Sequence, residues 1–198
     1  MLIPLTVEKG LWKHFFTVSP LIIVGSREND AYNLAPKHMA TPVGQSTFFA
    51  FVCTPRHNTY HNIQTHGYFT VSFPKPKQIL HSSLLADPRP DRAEPKWMVD
   101  ATKTVKASLV DSLIVKDAYL ALECELDRIV DGFDDYSIII GSIVAAAIDQ
   151  NSIRAEEQDD QEMIFNNPLL AYLPYGRFAE IKDTLAFPFP KGFKELPK

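Results

Sequence analysis

A chain of 198 residues with 45% hydrophobic and 22% charged side chains suffices for one domain with a sizeable core. Its formal net charge of −4 excludes the broad basic field that nucleic acid requires, so any anion site must be a local cluster. The two cysteines, Cys53 and Cys124, sit in apolar strand patterns, with neither metal-ligand spacing nor the density of a disulfide framework.

The first sixteen residues lack the apolar run and charge order of a signal peptide, and the longest apolar stretch, 137–148, is too short to span a bilayer. Cytoplasm is the expected compartment, with no membrane partner. Val7–Phe16 reads as a short amphipathic helix with Leu11, Phe15 and Trp12 turned inward. Leu21–Ser26 is a buried strand, 27–33 a polar turn, and Tyr32–Ala35 pairs back in a hairpin leading into Pro36. Thr47–Cys53, aromatic and β-branched throughout, is a second buried strand. The chain turns at Pro55, Asn58 is placed to cap a helix over Thr59–His66, and Gly67 ends it before the strand Tyr68–Phe73.

Residues 74–107 change character. They are Pro-rich and charged, carry a helix over Lys77–Ala86 and have no sheet periodicity, so they read as an excursion within a single domain spanning 1–198. The sheet resumes at Ala118. Leu120, Leu122, Cys124 and Leu126 share one face, with Glu123, Glu125 and Asp127 on the other. An acidic turn over Asp131–Asp135 joins this strand to a long one, Tyr136–Ile148. Asn151–Gln161 reads as an exposed acidic loop dispensable to the core, and the tail alternates Phe187, Phe189 and Phe193 with proline. Antiparallel strands with two or three helices predict a mainly β fold, a closed barrel with helical decorations. No dinucleotide fingerprint, P-loop or nucleophile elbow is present.

The densest chemistry lies between Asn33 and Phe73. A strand feeding a basic helix start brings together backbone N–H groups, Arg56, His57 and the Thr59 hydroxyl, which suits a phosphate. A solvated charged turn explains the same residues, and Asn58 has a full explanation as a cap. His57, His61 and His66 invite a metal reading, but their spacing points them apart and no acid accompanies them, so no metal is expected.

The order of motifs resembles the flavin reductase-like proteins with the FMN-binding split β-barrel, a family that includes flavoredoxins. The resemblance is carried by Asn33-Leu34-Ala35-Pro36, then Arg56-His57-Asn58-Thr59-Tyr60-His61-Asn62-Ile63, then His66-Gly67-Tyr68-Phe69-Thr70-Val71, and by the later segment 167–181. It implies an antiparallel Greek-key split barrel binding FMN, with FAD as the alternative, NAD(P)H as electron donor, and a homodimer with the flavin near its interface. The cofactor-binding residues it implies are Asn33, Ala35, Pro36, Lys37, His38, Thr41, Cys53, Thr54, Arg56, His57, Asn58 and Thr59. Lys37 and His38 stand where the family carries hydroxyls along the flavin, and a cation there would favour the anionic reduced ring. A surface lysine beside a half-buried histidine is the plain alternative. Tyr136 stands where relatives carry a histidine that contacts flavin or nicotinamide, and no catalytic side chain is assigned. An electron-carrier flavoprotein and a barrel without cofactor are the competing readings.

Overall fold

The computed structural model of the protein describes residues 1–87, 96–154 and 159–186. In chain order its strands are β1 (Ser19–Pro20), β2 (Ile22–Glu28), β3 (Ala31–Lys37), β4 (Ala40–Pro42), β5 (Phe48–Cys53), β6 (Tyr68–Phe73), β7 (Thr104–Lys106), β8 (Leu113–Val115), β9 (Leu120–Phe133), β10 (Tyr136–Ile148), β11 (Leu169–Leu173) and β12 (Arg177–Ile181). The helices are α1 (Asn58–His66), α2 (Ile79–Leu84), α3 (Trp97–Ala101) and α4 (Asp160–Asn166). The main sheet is antiparallel, in the order β3-β2-β6-β9-β10-β5-β4. Strands β5 and β6 are consecutive in sequence yet separated by β9 and β10, so the chain crosses the sheet through α1.

That separation shows how strongly the sheet curls. In a flat sheet β5 and β6 would lie about 14 Å apart, three strand spacings. Instead Phe51 meets Phe69 with ring centroids 5.4 Å apart, and Phe49 meets Phe73 at 5.8 Å. These rings, with Ile22, Val24, Ile63, Leu122 and Ile139, fill the concave side. Among the described residues the ladder ends at β3 and β4 without pairing them, so the sheet is a half-barrel of the split type and not a closed barrel. Pro36 and Pro42 fall on these two terminal strands, where a missing N–H breaks no ladder.

The convex side is covered by the excursion. Leu85 after α2, Met98 and Val99 of α3, and Val115 of β8 pack on Ile23 and Leu34. The Lys77–Ala86 helix is shorter than the sequence predicts, a 3₁₀ turn at Pro76–Gln78 followed by α2. Sheet structure also returns earlier than Ala118, in the β7–β8 hairpin. No helix among the described residues is long and apolar enough to cross a membrane.

Two further expectations differ from the structure, the first for want of a packing partner. Val7–Phe16 forms no α-helix, only a 3₁₀ turn at Leu11–Lys13, and Trp12 and Phe16 are 62% and 64% exposed. An amphipathic pattern without a surface to cover does not hold a short helix. The acidic loop ends early, because Asp159 caps α4 by accepting from Glu162 N at 3.0 Å while Arg154 forks onto Asp160 at 2.6 and 3.0 Å. Asp159→Ala should therefore lower stability by about 1 kcal/mol, roughly 2–4 °C in Tm. An unchanged thermal melt would support the expectation that this loop is dispensable. The aromatic tail, Phe187, Phe189 and Phe193, lies outside the described residues.

Candidate functional site

α1 starts immediately after β5, through the Thr54–Pro55 turn, and points its N-terminus at the end of β3. The cap is His57, extended at φ −98° and ψ 141°, one residue before the sequence predicts, and its side chain makes no capping bond. Asn58 does not cap because Glu28 captures it: Asn58 Nδ2 donates to Glu28 Oε1 at 2.5 Å, across 30 positions of sequence. Gly67 ends the helix as expected, with a left-handed φ of 77° that other residues rarely adopt.

Between β3 and this helix start lies a cavity of about 350 Å³. β3 supplies Asn33, Ala35, Pro36 and Lys37, and the turn and α1 supply Arg56, His57, Asn58 and Thr59. Eight of the twelve candidate residues thus share one wall, although the two segments are about twenty positions apart. Asn33 Nδ2 donates to the buried Thr59 Oγ1 at 3.1 Å, which fixes the two sides against each other. Lys37 is buried, and its Nζ lies 3.2 Å from His57 Nδ1. An ammonium only donates, so Nδ1 accepts and His57 is neutral with its proton on Nε2. Arg56 stands at the rim, its side chain 65% exposed and 3.3 Å from Asp135 Oδ2.

The other four candidates are placed elsewhere. His38 turns from the cavity and stacks on Tyr172 of β11 at 4.6 Å. Burial, then the charge of Lys37, holds its pKa below the usual histidine range. Thr41 is exposed on β4, donating to Pro42 O at 3.1 Å. Cys53 belongs to the core, and burial pushes its thiol up against the opposing pull of Lys37. Cys124 is pushed up to about 12 by burial and the Glu123 charge, so this thiol is no nucleophile at neutral pH. Thr54 is buried, with its hydroxyl accepting from Arg56 N at 3.3 Å. It walls a neighbouring cavity of about 390 Å³, on which Arg56 also borders.

Residues 15–177 match the family described as the flavin reductase like domain. The chain belongs to this family. Three solved structures show the same fold at low identity. The flavoredoxin of Desulfovibrio vulgaris (Miyazaki F) is 22% identical, covers 89% of this chain and 93% of its own, and gives a TM-score of 0.72. An FMN-binding protein from Thermus thermophilus is 18% identical over 95% and 99% of the two chains, with a TM-score of 0.74. The NADH:FAD oxidoreductase SgcE6 of Streptomyces globisporus is 16% identical over 82% and 86%, with a TM-score of 0.66. No curated protein matches the chain in sequence.

In this flavin reductase-like protein Tyr136 opens β10 beside the neighbouring cavity, with Tyr60, Asp131 and Asp135. Asp131 there accepts from Tyr60 Oη at 3.1 Å and Ser137 Oγ at 2.6 Å. Sequence reasoning missed the remaining wall of the main cavity: Leu85, Ala86, Asp87 and Lys96, all from the excursion. Lys96 Nζ donates to Leu34 O at 3.3 Å and to Leu85 O, tying the excursion to β3. The available signal was Leu85, an apolar residue at the end of a predicted helix that had to be covered by something. Among the described residues no three His, Cys, Asp or Glu side chains gather as metal ligands.

Proposed function

We propose that the protein is an FMN-binding oxidoreductase that uses NAD(P)H to reduce flavin, and that it works as a cytoplasmic homodimer. The observation that carries this reading is that β3 and the start of α1 converge on one cavity. Its residues fit a flavin phosphate: two cations, Lys37 and Arg56, stand beside the N-terminus of α1, where the cap side chain makes no capping bond. The cavity volume falls within the range of small-molecule sites.

In this reading Lys37 and Arg56 hold the phosphate, and Asn33, locked by Thr59, orients the ligand along β3. Leu85 and Ala86 exclude water from one side. A flavin held there would supply the hydride chemistry itself. The protein therefore needs no nucleophile, which agrees with two cysteines that lie in the core with their thiols buried and raised.

Absorbance spectra test the reading. Purified protein supplied with FMN should be yellow after desalting and should bleach rapidly under anaerobic NADH or NADPH. Yellow protein that neither nucleotide bleaches would instead be an electron carrier, as the likeness to flavoredoxin suggests. Protein that binds no flavin would leave a barrel without cofactor. Sedimentation of the flavin-loaded protein should give a dimer, and a flavin-loaded monomer would remove a shared site.

A further inference from the structure

Lys37 is the one cavity residue whose placement is costly without a ligand. It is 8% exposed, and among the described residues no carboxylate pairs with it. Its ammonium reaches His57 Nδ1, a neutral acceptor, and the Cys53 thiol. A buried charge met only by neutral groups destabilises the fold that holds it. Such residues persist where function requires them. Arg56 differs on both counts, being largely exposed and already paired with Asp135. The other charges on the wall are Asp87, which is exposed, and Lys96, which is committed to the carbonyls of Leu34 and Leu85.

We propose that Lys37, more than Arg56, is the phosphate-specificity residue of this site, sharing a phosphate monoester with the α1 amides that follow His57. The proposal rests on the reading of the cavity as a flavin site. The neutrality that the protein leaves incomplete is then supplied by the ligand.

Two variants separate this from a structural role. Lys37→Met removes the charge and the donor; Lys37→Gln removes the charge and leaves His57 a donor. Calorimetric titration of each with FMN and with riboflavin should show FMN affinity falling by about tenfold to a hundredfold, with riboflavin affinity nearly constant. Arg56→Ala should lose less than about fivefold, as for an exposed ion pair. The ligand-free Lys37 variants should also melt above wild type, because an uncompensated charge has gone. An unchanged FMN-to-riboflavin ratio, a larger loss in Arg56→Ala, or a lower melting temperature in both Lys37 variants would overturn the proposal. Should wild type bind neither flavin, the flavin reading fails separately. Inorganic phosphate then decides Lys37: a rise in wild-type melting temperature that both variants lack supports it, and no rise in wild type overturns it.

Discussion

Replacing Gly25 by alanine is expected to destabilise the protein by about 3 kcal/mol, roughly 6–12 °C in Tm. Gly25 lies on the convex face of β2, where the β8 segment crosses. An added Cβ would stand 2.3 Å from Thr70 Oγ1, 2.4 Å from the Leu113 carbonyl oxygen and 2.9 Å from Ser112 Oγ. These atoms form the seam that holds the excursion: Thr70 Oγ1 donates to Leu113 O at 2.6 Å, and Ser72 Oγ accepts from Val115 N at 3.0 Å. A flexible side chain would swing aside, but a backbone carbonyl already bonded to Thr70 does not. Urea and thermal melts of Gly25→Ala measure the effect. A loss under about 1 kcal/mol would mean that the seam slides without penalty.

Glu123→Gln should cost about 2–3 kcal/mol at neutral pH. The Glu123 carboxylate is 5% exposed and accepts from Ser108 N at 2.9 Å, Ser108 Oγ at 2.6 Å, Leu109 N at 2.7 Å and Val110 N at 3.1 Å. An amide replaces one acceptor oxygen with a donor facing donors. Burial pushes the carboxyl pKa up, but the Ser108, Leu109 and Val110 donors outweigh it and bring it below the ordinary 4.5. The ionised form is thus favoured by folding. Its contribution is complete above the unfolded value near 4.5 and disappears as pH falls through the lower folded value. Wild type and Glu123→Gln should differ in urea midpoint at pH 7 and converge toward pH 3. A difference that stays constant over that range would assign the loss to packing and not to charge.

Glu123 also shows where sequence legibility ends. Its alternation with Leu122 and Cys124 locates the strand and the two faces correctly, because period two is a local property. Whether the polar face meets water depends on the loop at Ser108–Val110, and nothing near Glu123 announces it. Gly67 was legible for the same local reason, since a left-handed helix end needs a residue without a Cβ. Asn58 was misread because its cap geometry is local but its captor, Glu28, is not. The candidate site divides along the same line. Asn33 through Lys37 and Arg56 through Thr59 were legible from motif order, whereas Leu85, Ala86, Asp87 and Lys96 arrive through long-range packing of the excursion. His38 stacks on Tyr172 of β11, a partner far along the chain that its local sequence does not announce.

The unclosed sheet constrains how the molecule meets its neighbours. An open margin of unpaired amides and carbonyls is a template on which a foreign chain can add itself and continue into fibrils. Here Pro36 and Pro42 interrupt the donor rows of both margins, and the Lys96 ammonium occupies the Leu34 carbonyl on one of them. Continuing the ribbon from one copy into the next is thereby disfavoured at both ends. Any contact between copies would then fall to side chains, whose identity can be selected without making the chain prone to polymerise.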